Sequence, residues 1–123
     1  MASKPKVEVA REHLDKALDE ASGGDPRDAV QWGFASLEAA IDALAAAENI
    51  PIEEKHWKRT EAAQELHKRE VLPADLSELH AELNVLRKAI FYDGDELEAE
   101  GFSVEDALVE IETAVEIAEA ETK

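Results

Sequence analysis

His80, Asn84, Arg87 and Phe91 recur at intervals of four, three and four residues in the stretch LHAELNVLRKAIFYDG, and Tyr92 follows directly. At about 100° per helical position they form one stripe beside the leucine seam of the same helix. The residue types are chemically capable. An imidazole exchanges a proton near neutral pH, a guanidinium clamps carboxylates or phosphates, and an amide offers a donor and an acceptor together. On a helix shoulder this set suits a subunit interface or a ligand groove, because arginine and aromatic residues favour contact surfaces. The same spacing admits a plainer reading, in which Arg87 lays its stem over the edge of the core and pairs with a neighbouring glutamate. His80, Asn84, Arg87, Phe91 and Tyr92 are therefore the candidate ligand or dimer-interface residues. No catalytic residue is assigned.

Other chemistries find less support. The four histidines, His13, His56, His67 and His80, are spread over three predicted helices. A carboxylate-bridged metal bundle needs two Glu-x-x-His pairs and further inward glutamates. Only Glu53 and His56 have that spacing, so no metal site is expected, and the histidines are expected on helix shoulders or facing solvent. The acidic segment DGDELEAE fails as a calcium loop: counted from Asp93, the fifth and sixth positions are Leu97 and Glu98, where an oxygen ligand and a glycine are required. There is no phosphate-cradling glycine loop and no nucleophile-elbow motif, so no cofactor is expected. Trp32, Phe34 and Trp57 are expected in the core.

Composition narrows the class further. The chain has 123 residues, a net charge of −17 and no cysteine. One domain spanning 1–123, with its own core, is expected from that length. The missing cysteines exclude disulfides and thiolate chemistry and fit a reducing compartment. No segment has the apolar run of a signal peptide or a membrane span, so a cytoplasmic location is expected. Such an acidic chain repels phosphate backbones and anionic lipid, which argues against nucleic acid or membrane as a partner. The acids are concentrated at the C-terminal end, where no basic residue appears between Lys88 and Lys123.

Five helices must position these residues. The first is predicted from about Lys4 to Ser22, with Val7, Ala10, Leu14, Ala17, Leu18 and Ala21 on one face, and Gly23-Gly24 stops it. Asp25-Pro26 opens the second, which runs to about Glu48. It is apolar around most of its circumference, with Asp28, Gln31, Glu38 and Asp42 as one narrow polar stripe. That pattern marks the central helix, and Gly33 with its alanines lets neighbours approach closely. The third, about Glu53 to Val71, offers only Trp57, Ala63, Leu66 and Val71 and is the most exposed. The fourth starts at a capping-box-like Asp75-x-x-Glu78 and runs to about Asp93 on the seam Leu76, Leu79, Leu83, Leu86 and Ile90. The fifth starts at Ser103 and buries Val104, Ala107, Leu108, Ile111, Ala114, Val115 and Ala118. No strand-like alternation competes. The expected fold is all-α, an antiparallel up-and-down bundle of about five helices.

The helix order, the second helix AVQWGFASLEAAIDALAAA and the segment LRKAIFYDG resemble the HEPN superfamily of small prokaryotic helical bundles. The resemblance implies a homodimer. In many members it also implies a ribonuclease, including toxins paired with a nucleotidyltransferase antitoxin, so a nucleotidyltransferase-type partner is implied here. The signature of that activity is an arginine followed four to six residues later by a histidine at the dimer interface. Arg87 matches the arginine, Lys88 follows it, and Tyr92 stands where the histidine belongs; no histidine follows. A tyrosine, with an ordinary pKa near 10, is a poor proton shuttle at neutral pH. The expectation is therefore a non-catalytic HEPN-like protein that homodimerises and binds a protein or small ligand. The alternatives are a HEPN-type ribonuclease with a degenerate motif, and an acidic helical-bundle interaction protein unrelated to that family.

Overall fold

The computed structural model of the chain describes residues 5–52, 56–88 and 103–122. It is an all-α bundle of helices α1 (Lys6–Ser22), α2 (Pro26–Ala47), α3 (His56–Lys68), α4 (Ser77–Lys88) and α5 (Val104–Glu121), with no strand among the described residues. No helix among them is long and apolar enough to cross a membrane. Ile90, Phe91, Tyr92 and the side chain of Trp57 lie outside the described residues.

Local chemistry sets the helix ends. The Asp25 carboxylate accepts from the backbone N–H of Asp28, with Pro26 at the first helical position, and the Ser103 hydroxyl accepts from the N–H of Asp106. Both satisfy donors that the first helical turn leaves open. At the start of α4 the structure differs from the capping-box reading. The Asp75 carboxylate accepts from Ser77 N–H only two residues on, and the Leu76 carbonyl receives the first helical bond, from His80. The bonds to Ser77 hold the Asp75 carboxyl below its ordinary pKa, since they favour the ionised form.

Helices α1, α2 and α3 end in one way. Gly24, Asn49 and Glu70 have φ of 84°, 57° and 62°, and the next residue's N–H reaches back to Glu20, Ala45 and Leu66 respectively. A left-handed residue with this long backward bond is a Schellman-type stop. It ends α3 at Lys68, short of the Val71 expected from the apolar pattern.

The central helix is α2, which packs against each of the other four. Its Val30, Phe34, Leu37, Ile41 and Leu44 are buried and meet Leu14 of α1, Leu66 of α3, Leu83 of α4 and Ile111 and Val115 of α5 in one core. At Gly33 α5 comes close: a Cβ there would lie 3.2 Å from Leu108 Cδ2 and 3.4 Å from Ile111 Cδ1. The buried Ser36 donates at 2.8 Å to the Ala10 carbonyl, so its hydroxyl ties α2 to α1 at no loss of a hydrogen bond.

Candidate functional site

Of the polar stripe on α2, Gln31, Glu38 and Asp42 face other helices. Arg59 of α3 grips Asp42 with both arms of its guanidinium, Nε to Oδ1 at 2.9 Å and Nη2 to Oδ2 at 3.1 Å. Its Nη1 lies 3.6 Å from Glu38 Oε2. The same Glu38 oxygen lies 3.0 Å from His80 Nε2, and His80 Nδ1 lies 2.8 Å from Thr60 Oγ1. A polar chain thus runs Asp42, Arg59, Glu38, His80, Thr60 and joins α2, α3 and α4. A carboxylate can only accept, so Nε2 carries a proton, and in the neutral ring Nδ1 accepts from the Thr60 hydroxyl.

Hydroxyl, imidazole and carboxylate in this order also describe a nucleophile, its base and the group that orients the base. Burial separates the two cases. His80 is 1 % exposed, and its ring stacks on Phe34 with centroids 5.3 Å apart. The hollow of about 370 Å³ at the outer end of the chain is lined by Asp42 and Arg59, but not by His80 or Thr60. The imidazole therefore faces protein on every side. Its chemistry is that of a buried tie between helices, with every polar atom of the ring engaged.

This corrects the shoulder position expected of His80. Spacing alone put it on the stripe with Asn84 and Arg87; Glu38 and Thr60 draw it into the core because they supply both partners an imidazole needs there. Neither Thr60 nor Arg59 was singled out by the pattern of α3. The available signal lay in α2: Glu38 and Asp42, one turn apart on an otherwise apolar helix, are costly to bury unless other helices bring partners.

Arg87 sits at the far end of α4 from this tie. Its guanidinium carbon lies 4.7 Å from the centroid of Phe34, a cation–π distance, and its carbonyl accepts from Gln31 Nε2 at 3.4 Å. His80 and Arg87 both rest against the Phe34 ring. Asn84 is half-buried between them, and its Oδ1 is buried with no hydrogen-bond partner among the described residues. Val85 beside it is 67 % exposed. Of the five sequence candidates, the structure brings Asn84 and Arg87 to one edge of α4 and takes His80 inside; Phe91 and Tyr92 are among the residues it does not describe.

The other described histidines do not converge with His80. His13 of α1 lies against Trp32, centroids 5.1 Å apart, and Lys16 Nζ sits 4.3 Å from the same indole. Burial, and then the Lys16 charge, hold the His13 imidazole below its ordinary pKa. His67 is exposed, with Nδ1 3.1 Å from the Leu72 carbonyl. Phe34 is buried, as expected, and Trp32 packs half-buried against the core. No protein-family model matches the chain, and no curated protein or solved structure matches it.

Proposed function

We propose that this chain is a non-catalytic HEPN-like helical protein that pairs with a second copy and acts by binding a protein or a small ligand. The Asn84–Arg87 edge of α4 lies at or beside the two-fold. The observation that carries the reading is the split between Arg87 and His80. The arginine stands at the half-buried edge of α4, beside the exposed Val85 and the Asn84 carbonyl oxygen, which has no hydrogen-bond partner among the described residues. The imidazole that precedes it on the same helix is sealed in the core with both nitrogens engaged. An arginine can hold an anion or an interface, but the proton transfers of RNA cleavage need an acid/base group as well, and the imidazole of α4 is buried. The charge of −17 adds repulsion against RNA.

A specific observation favours a second reading. Arg87 already stacks on Phe34 of its own chain, which is what a stand-alone acidic bundle would do with it. Native mass spectrometry of the untagged protein and of Arg87→Glu separates the two. A two-chain species lost in the variant supports the first, and one chain in both supports the second. RNA left intact by the purified protein fits both. Cleavage abolished by Arg87→Ala would replace them with the ribonuclease reading.

A further inference from the structure

Away from the α4 edge, the first half of α5 carries an unusual piece of surface. Val109 is 65 % exposed and forms a ridge between two hollows. One, of about 160 Å³, lies toward the α3–α4 connection, with Leu72 and Leu76 in it. The other, of about 340 Å³, lies toward the end of α1, with Leu18 and Leu108 in it. Val109 borders both. The hydroxyl of Thr113 is satisfied inside the helix, donating to the Val109 carbonyl at 3.1 Å, so it asks nothing of a partner. An apolar ridge with an apolar-floored hollow on each side is the relief into which a helix packs its side chains.

The rim selects the partner. Glu110 borders the smaller hollow, and Glu105 and Glu112 border the larger. Among the described residues no Lys or Arg lines either one, and none occurs in the sequence from Ser103 to Thr122. A second copy placed here would set these acids against their own counterparts, and nucleic acid or an anionic bilayer would be repelled. We propose that the Val109 saddle is a docking surface for a basic amphipathic helical segment of another protein. Its apolar side chains would straddle Val109 and enter the two hollows, and its Lys or Arg side chains would meet Glu105, Glu110 and Glu112. This is the helix-in-groove mode of recognition. It names a partner class on a face separate from Arg87 and does not need the dimer.

The test is fluorescence anisotropy with a labelled Leu/Lys peptide of amphipathic helical order, against a scrambled peptide of the same composition. The ordered peptide binds more tightly than the scrambled one, and Val109→Asp weakens it about tenfold, the effect of removing one buried apolar anchor. The sign is informative, because Val109→Asp adds a negative charge and would strengthen a purely electrostatic attraction. The double variant Glu105→Lys/Glu110→Lys weakens binding, whereas Glu8→Lys/Glu12→Lys on α1, with the same change in charge, does so much less. Equal affinity for the two peptides, or unchanged or tighter binding to Val109→Asp, overturns the proposal in favour of unspecific charge attraction. Conversion of a two-chain species to single chains by Val109→Asp also overturns it, by showing that a second copy covers the saddle.

Discussion

Glu38 and His80 are 42 residues apart in the chain and meet at 3.0 Å, with the imidazole 1 % exposed and Thr60 on its other nitrogen. One ring thereby fixes the positions of α2, α3 and α4 relative to one another. It also keeps the histidine nearest to Arg87 in sequence out of reach of any substrate.

Removing that ring leaves a cavity and takes hydrogen-bond partners from two side chains at once. His80→Ala should cost about 2–4 kcal/mol of unfolding free energy. Thr60→Val, which removes one hydroxyl, should cost about 1 kcal/mol. Urea melts of the two variants give both values. An unchanged midpoint for His80→Ala would mean that the polar chain contributes nothing to holding the helices together.

The approach of α5 to Gly33 sets a size limit. Gly33→Ala gains about 1 kcal/mol of helix propensity and gives it back in displacing Leu108, so a change near zero is expected. Gly33→Leu has no such compensation and should cost about 2–3 kcal/mol by overpacking. Thermal melts of the pair would show the step between them; equal stability would mean that α5 yields freely.

Glu70 holds a left-handed conformation, φ 62°, that a side chain makes unfavourable, and it is exposed. Glycine suits that position in a helix stop. Glu70→Gly should therefore stabilise the protein by about 0.5–1 kcal/mol, despite the greater freedom of glycine in the unfolded chain. A loss of stability would contradict the assigned stop.

His13 predicts a pH dependence with a definite sign. Burial and Lys16 lower its pKa in the fold, with Glu12 opposing, so the unfolded chain takes up a proton at higher pH than the folded one. Stability therefore rises with pH across the interval between the lowered value and the ordinary value near 6.5, and this contribution is lost as pH falls through it. His13→Gln removes the group. Relative to wild type, the variant should gain stability as pH is taken from about 7.5 to about 5.5. A constant difference over that range would show that the imidazole titrates alike in both states.

Features written in neighbouring residues were legible in the sequence. Asp25-Pro26 and Ser103 start helices where their capping chemistry says they should, and Gly33 marks a close approach on a helix whose apolar surround identified it as central. The candidate site was legible only in part. Asn84 and Arg87 keep their shared edge, because one helix determines it. The place of His80 depends on Glu38 and Thr60, which arrive from two other helices, and periodicity along α4 carries no trace of them. Lys68 ends α3 for a similar reason: the left-handed turn at Glu70 is made by backbone hydrogen bonds, and the apolar pattern running on to Val71 does not record it.

The central claim is that this bundle pairs through the Arg87 edge and binds without cutting. Native mass spectra of untagged wild type and Arg87→Glu, recorded at one protein concentration, test it most directly. The account predicts a two-chain species for wild type that falls to single chains in the variant. Single chains for both, or a pair that the variant leaves intact, would contradict it.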